Sequence, residues 1–339
     1  MHLNRRKFIL NTIKTTAGLS LGQGMFHSNL WAQNPRINSK IKISLQCFSF
    51  AGAFFSQQMS VLDFPKLVRE DFNLDGAEYW NIPMISKRKD PQFIKEILQK
   101  TSDYGLENTL MLVDLLDFQT GKSTSLCANN KEERTLAIEG HKEWMDVAKS
   151  IGCKAIRANL WSEGLNASEA KEISIESLGK LLEYGSAMDL DLVIENHGGY
   201  TSDAQWVVEL MKAINHPNLG TLPDFGTGNF CIERGPKEEG QRFNTSECIK
   251  QYDKYQGVEE MLPYAKGISA KSIAFNAEGE DIHTDFGRMM NLIKTAAFEG
   301  YIAIEYEGGF AQMMGGDEAP KLSTNEGILA TKRLIQKYL

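Results

Sequence analysis

The sequence predicts an α/β protein of the (β/α)8 TIM-barrel class, and three observations support that prediction. From residue 41 onward, eight short runs of β-forming residues alternate with longer amphipathic runs, the pattern of a parallel sheet covered by helices. The 339 residues exceed the about 250 that such a barrel needs. The last four of the eight runs end in acidic or basic residues, and catalytic groups of barrels lie at the carboxyl ends of strands.

The eight runs and the segments between them define the elements in order. Amphipathic spacing predicts helices between the strands, for example over 131–151 and 285–299. The segment 225–256 is long for a connection, so we expect a short helix near 245–254 and a role as a lid or as an interface in a homo-oligomer. We predict strands at 42–48, 75–80, 108–113, 154–159, 190–195, 219–223, 267–271 and 301–306.

Residues 1–32 predict a signal peptide, which leaves 33–339 as a single barrel domain. Arg5 and Arg6 precede a weakly hydrophobic stretch, and this arrangement resembles a twin-arginine export signal. The stretch is far shorter than the roughly 20 apolar residues that span a bilayer, so we expect no permanent membrane anchor. The resemblance implies a periplasmic protein, and a basic disordered leader is the alternative.

Charge and cysteine content exclude some classes of protein. The formal net charge is −7, which argues against binding to nucleic acid because phosphates require a basic surface. The five cysteines include no CxxC pair, so neither a zinc ribbon nor a redox motif is indicated. Cys231 and Cys248 share one predicted loop, and a disulfide between them is possible in an oxidising compartment.

Candidate catalytic residues follow the last four predicted strands. Glu195 ends strand five, Asp224 follows strand six, Lys271 ends strand seven and Glu305 lies near the end of strand eight. A carboxylate after an apolar run is costly to bury unless it meets a metal ion or a cation. Convergence of the three acids on one cation would remove that cost, and we therefore predict a shared site at the barrel mouth.

The segments IEN at 194–196, PDFG at 223–226 and IEYEG at 304–308 resemble the sugar phosphate isomerase/epimerase proteins with the xylose isomerase-like barrel. The resemblance implies a divalent metal ion, often manganese, with Glu195, Asp224 and Glu305 as ligands. Where that family carries a fourth ligand, a histidine, this chain has Ser269, although Lys271 matches the lysine that follows. Oxygen ligands favour Mn²⁺ or Mg²⁺ over zinc.

Further polar and aromatic residues near strand ends are candidates for contact with a carbohydrate, since aromatic faces pack on sugar C–H groups while polar groups bind the hydroxyls. The candidate substrate-binding residues are Trp80, Arg157, Trp161, Glu163, Asn196 and His197.

Structural roles are the alternative for several of the candidate site residues. Glu195 and Glu305 could form ion pairs with Lys271 or Arg157, Asp224 could shape a turn, and Trp80 could serve only to pack the core.

The resemblance implies an isomerase or epimerase that removes a proton next to the carbonyl of a keto-sugar. Glu195 and Glu305 would exchange the proton, and Lys271 would stabilise the developing charge. One alternative is a lyase or hydratase acting on 3-keto-glycosides, which begins with the same proton abstraction. A second is a non-catalytic sugar-binding barrel, which the presence of Ser269 suggests. Acidity and the scarcity of histidine argue against a third, an endonuclease-like phosphodiesterase.

Overall fold

Eight parallel strands form one sheet that closes almost completely into a barrel. The computed structural model describes residues 40–117, 122–162, 164–237, 239, 244, 246–313 and 322–339; the predicted signal peptide lies outside these ranges. The strands are β1 Ile41–Gln46, β2 Gly76–Trp80, β3 Glu107–Leu112, β4 Ala155–Ala158, β5 Asp191–Glu195, β6 Leu219–Leu222, β7 Ile268–Ser272 and β8 Gly300–Tyr306. The sheet order is β7-β8-β1-β2-β3-β4-β5-β6, and isolated parallel bridges, Asp224 with Ser269 and Thr221 with Ala265, join its two edges.

The predicted (β/α)8 fold is therefore confirmed, and each predicted strand lies within two residues of the observed one at both ends. Seven long helices cover the sheet, and the predictions at 131–151 and 285–299 correspond to two of them. The β1–β2 connection differs, because five short helical segments take the place of one long helix. These segments are Cys47–Phe50, Ala51–Phe55, Val61–Asp63, Phe64–Lys66 and Leu67–Asp71. The long helices are α1 Pro91–Asp103, α2 Lys131–Ser150, α3 Ala167–Ser186, α4 Ala204–Ile214, α5 Lys254–Met261, α6 Phe286–Thr295 and α7 Thr324–Tyr338.

Every one of these seven helices starts at a side-chain cap. The capping side chain accepts a hydrogen bond from a backbone N–H of the first turn, which satisfies a donor that the helix itself leaves unpaired. Such a cap stabilises a helix by about 1 kcal/mol. No helix in the described ranges is long and apolar enough to cross a membrane. The caps are Asp90, Asn130, Asn166, Asp203, Asp253, Asp285 and Ser323.

The long segment after β6 holds a hairpin in place of the helix predicted at 245–254, and that prediction is wrong. Cys231–Arg234 pairs in antiparallel fashion with Cys248–Gln251, and a disulfide joins Cys231 to Cys248. The strand pairing and the covalent link keep this stretch extended. The helical conformation begins only at Lys254, where Asp253 caps the chain.

Side chains alternate across each barrel strand and so separate the core from the site. Leu45, Tyr79 and Ile304 are buried, and the Tyr79 hydroxyl lies 3.1 Å from Thr101 of α1, so this set faces the helices. The neighbouring residues in sequence point inward because successive side chains of a strand face opposite sides. The inward set includes polar and charged residues, which create a polar interior at the carboxyl end of the barrel.

Candidate active site

Three acidic side chains converge at the carboxyl end of the barrel. Glu195 is the last residue of β5, Asp224 lies two residues after β6, and Glu305 is the penultimate residue of β8. One carboxylate oxygen from each lies within 4.8 Å of those from the other two, and all three side chains are buried. The structure therefore brings together the three acids on which the predicted metal site was built.

Lys271 supplies a positive charge beside this triad. Its Nζ atom lies 3.1 Å from Glu305 Oε2, 3.7 Å from Asp224 Oδ2 and 2.8 Å from Glu307 Oε1. Burial lowers the pKa of Lys271, but the surrounding carboxylates outweigh burial and raise it well above the ordinary value. For Glu305 the two effects have the opposite signs. Burial raises the pKa of Glu305, but the charge of Lys271 outweighs burial, so the pKa lies below its ordinary value. Lys271 and Glu305 are thus both charged.

Hydrogen bonds engage one carboxylate oxygen of Asp224, and the other oxygen is available to bind a cation. Its Oδ1 atom accepts hydrogen bonds from Gly226 N at 2.7 Å and from Asn229 Nδ2 at 2.8 Å, while Oδ2 has no hydrogen bond among the described residues. Asn196 fixes the backbone, because its amide donates to Asp224 O and accepts from Asp224 N. Both polar groups of Asn196 are therefore engaged behind the triad.

Arg157 links Glu195 to a fourth acid, Asp114, which the sequence analysis did not select. The Arg157 guanidinium places Nε 3.0 Å from Glu195 Oε2 and donates from Nη1 to Asp114 Oδ1 at 2.6 Å. Burial raises the pKa of Glu195 to about 8, although Arg157 lowers it. Asp114 directly follows the apolar run at 110–113, the same signal that identified the other acids.

The remaining predicted substrate-binding residues fall into three groups. Trp80 is buried, donates its indole N–H to Asp114 Oδ2 at 2.8 Å and packs edge-on against Phe48. Trp161 and His197 are exposed beyond the ends of β4 and β5. Glu163 lies outside the described residues. The ion pairs that the sequence left open as structural alternatives, Glu195 with Arg157 and Glu305 with Lys271, are both present.

Comparison with known proteins agrees with this geometry. The family model described as xylose isomerase-like TIM barrel matches residues 70–332, which is more than half of the chain. The chain belongs to the xylose isomerase-like TIM barrel family. A search of curated proteins finds no match. The family resemblance inferred from the strand-end segments is thereby confirmed.

Solved structures similar to this xylose isomerase-like barrel share its fold at low sequence identity. A D-psicose 3-epimerase with D-tagatose from Clostridium cellulolyticum H10 is 13% identical, with TM-score 0.65 and coverage of 88% of this chain and 99% of that chain. A xylose isomerase domain protein from Planctomyces limnophilus is 14% identical, with TM-score 0.60 and coverage of 88% and 97%. An IOLI protein with a bound zinc atom is 13% identical, with TM-score 0.59 and coverage of 88% and 99%.

The side chains of this xylose isomerase-like site fit a divalent cation. Buried Glu195 Oε2 and Asp224 Oδ2 make no hydrogen bond in the described ranges, although Arg157 Nε lies 3.0 Å from the first and Lys271 Nζ lies 3.7 Å from the second. Carboxylate oxygens are ligands that hard cations prefer. The site's acids also outnumber its two cations, Lys271 and Arg157. Ser269 donates to Glu305 Oε2 at 3.1 Å. A hydroxyl that orients one carboxylate therefore occupies the position at which the family resemblance led us to expect a histidine ligand.

Proposed function

We propose that the chain is a sugar isomerase or epimerase that removes and returns a proton next to the carbonyl of a keto-sugar. The observation that carries this proposal is the burial of Glu195 and Glu305 in one cluster with Lys271. Two positioned carboxylates provide one group to take a proton and another to return it. The fold shared with a D-psicose 3-epimerase supports the same chemistry.

Each residue of the cluster has a defined part in this reaction. Glu305, held ionised by Lys271 and oriented by Ser269, takes or returns the proton from one side, and Glu195 acts from the other. The Lys271 ammonium stabilises the negative charge that develops on the substrate oxygen when the proton leaves. A divalent ion held by Glu195, Asp224 and Glu305 would polarise the substrate carbonyl.

Oxygen ligands lead us to propose manganese or magnesium as the ion, although the similar IOLI structure contains zinc.

We also propose that a twin-arginine signal exports the protein to the periplasm. The disulfide between Cys231 and Cys248 supports export, because disulfides persist in oxidising compartments. Export also favours glycosides as substrates, so a lyase or hydratase acting on 3-keto-glycosides is the second candidate.

Proton exchange tests the proposal directly. The chain from residue 33 onward would be incubated with Mn²⁺ in D2O with free ketoses, 3-keto sugars and 3-keto glycosides, and C–H signals followed by NMR. Exchange beside a carbonyl is expected, with an epimer as product for the first candidate and a released substituent for the second. Sugar binding without exchange of any compound would contradict both and would indicate a binding protein.

A further inference from the structure

A row of polar side chains continues from the triad around the inside of the barrel. Lys271 of β7 is in register with Glu305 of β8, and Leu45 of β1 is in register with Ile304, which places Gln46 beside Glu305. Gln46 is in turn in register with Glu78 of β2. Residues in register on parallel strands point to the same side of the sheet, so these four side chains all face the interior of the barrel.

Gln46 and Glu78 contribute the polar atoms of this row that lack partners. Both side chains are buried. Gln46 Nε2, Gln46 Oε1 and Glu78 Oε2 have no hydrogen-bond partner in the parts of the chain that the structure describes. Only Glu78 Oε1 is satisfied, by Ser44 Oγ at 2.8 Å and Thr109 Oγ1 at 3.2 Å. Buried polar atoms without partners are rare in proteins and reduce stability.

The two side chains cannot satisfy each other completely. Burial raises the pKa of Glu78 to about 7, and the Gln46 amide lies near enough to the carboxyl to offset a small part of that rise, as Ser44 and Thr109 also do. A small shift would let Nε2 donate to Oε2. When Glu78 is ionised, Gln46 Oε1 would still lack a donor, because Lys271, the cation of the row, is already engaged by Glu305 and Glu307. When Glu78 carries its proton, its Oε2–H can donate to Gln46 Oε1, and Gln46 Nε2 then lacks an acceptor. In either state one polar atom of the amide has no partner, and a hydroxyl group can satisfy it, because a hydroxyl both donates and accepts.

We propose that Gln46 and Glu78 form a subsite for a second hydroxyl group of the sugar, next to the carboxylate triad. The inference rests on the proposed function and extends it, since it assigns substrate contacts to β1 and β2. The ligand is a polyhydroxylated compound that extends past Glu305 along the row. An ordered water molecule is the alternative occupant, because it offers the same hydroxyl chemistry. Removal of the Gln46 amide distinguishes a sugar hydroxyl from such a water molecule by its effect on the melting temperature of the sugar-free protein.

The first test measures stability without sugar. Gln46→Met keeps the length of the side chain and removes both unpaired polar atoms. If the amide is kept for a substrate, the melting temperature of Gln46→Met stays the same or rises, because replacing unsatisfied buried polar atoms with apolar ones costs nothing in the free protein. A lower melting temperature would show that protein or structural water already satisfies the amide, and would overturn the subsite.

Thr331→Val is the matched control for this comparison. Thr331 lies on α7 outside the site, and its buried hydroxyl contacts Ser272 Oγ and donates to Gly327 O. Loss of that satisfied group should lower the melting temperature and leave sugar binding unchanged. The contrast between the two variants separates an unpaired amide from an ordinary buried hydrogen bond.

The second test measures binding of D-tagatose and D-fructose by titration calorimetry with Mn²⁺ present. We expect Gln46→Met to weaken binding about tenfold, the value of one hydrogen bond, and to raise KM more than it lowers kcat. Glu78→Gln, which keeps the side-chain shape, should weaken binding in the same way. Unchanged affinity in both variants, or binding of neither sugar by the wild type, would overturn the subsite. Proton exchange with other sugars would still leave the proposed function standing.

Discussion

The surroundings of Glu305 suit the proposed role of this residue as the group that takes or returns the proton. It is buried, paired with Lys271 at 3.1 Å and oriented by Ser269. Glu305→Gln keeps the size of the side chain but removes the negative charge that accepts the proton. We expect proton exchange to fall by about 100-fold or more, the usual contribution of a positioned acid or base, with the fold preserved. Exchange followed by NMR and circular dichroism would measure the two effects.

Glu299→Gln is a suitable control, because Glu299 directly precedes β8 at the opposite end of the barrel and forms an exposed ion pair with Lys40. Exposed pairs of this kind contribute little, so activity and stability should both match the wild type. Full exchange activity in Glu305→Gln would remove Glu305 from the mechanism.

Glu78 gives the protein a stability that depends on pH. Burial raises the pKa of Glu78 from 4.5 to about 7, so the folded state keeps a proton that the unfolded state releases. Its contribution to stability is complete below about pH 4.5, decreases as the pH rises and is lost above about pH 7. Glu78→Gln removes this dependence, and the variant should gain stability relative to the wild type as the pH rises from 5 to 7.

Urea unfolding of both proteins at pH 5 and pH 7, without metal, would measure the effect. The difference between the two proteins isolates Glu78 from the other carboxylates, which titrate in both. We expect a relative gain on the order of 2–3 kcal/mol, since one pKa unit corresponds to 1.36 kcal/mol. An equal change in both proteins would show that Glu78 is ionised in the folded state.

At the scale of elements, local patterns predict the barrel well and the segment after β6 poorly. Strand positions follow from short β-rich runs and helix positions from apolar spacing, because each element must bury one side. The stretch near 245–254 is too short for its periodicity to distinguish helix from strand. Pairing with Cys231–Arg234 and the disulfide decide its conformation. The sequence allowed the disulfide, but it did not indicate the antiparallel pairing that accompanies the bond.

The same limit applies to the site. Glu195, Asp224 and Glu305 could be predicted because acids that follow apolar runs stand out in the sequence. Asp114 follows an apolar run in the same way and was missed, whereas Glu78 lies within a strand after Gly76 and Ala77 and lacks this signal. The importance of both acids depends on which strands are neighbours. Glu78 matters through its register with Gln46, and Asp114 through its contact with Arg157.

The disulfide-linked hairpin should contribute measurably to stability. The bond between Cys231 and Cys248 closes a loop with a sequence separation of 17, and the loss of chain entropy in the unfolded state predicts about 3 kcal/mol. The double variant Cys231→Ser with Cys248→Ser should unfold at lower urea concentration than the wild type. A reductant should destabilise the wild type and leave the double variant unchanged.

The matched control is Cys153→Ser. Cys153 is buried and outside the disulfide, so this variant should respond to reductant as the wild type does. Equal sensitivity of the wild type and the double variant to reductant would contradict a stabilising disulfide.

At the scale of the whole molecule, barrel closure collects acids that are far apart in sequence into one buried cluster. Mutual repulsion and burial of Glu195, Asp224 and Glu305 oppose folding, so a cation that binds only the folded protein must stabilise it. With Mn²⁺ at 100 times its dissociation constant the gain is about 2.7 kcal/mol, which raises the melting temperature by about 4 °C for a chain of this size. Differential scanning fluorimetry with a Mn²⁺ series, and with EDTA, would measure the shift.

Asp224→Asn distinguishes binding at the triad from binding elsewhere. Burial raises the pKa of the Asp224 carboxyl well above its ordinary value, so the charged form is costly in the metal-free protein. The variant keeps the shape of the side chain and cannot become charged, so the metal-free protein should melt at the same or a higher temperature. The shift caused by Mn²⁺ should largely disappear, because a neutral amide is a poor ligand for a hard cation. An undiminished shift in Asp224→Asn would place the ion outside the triad. No shift in the wild type would mean that Lys271 and Arg157 alone balance the charge of the site.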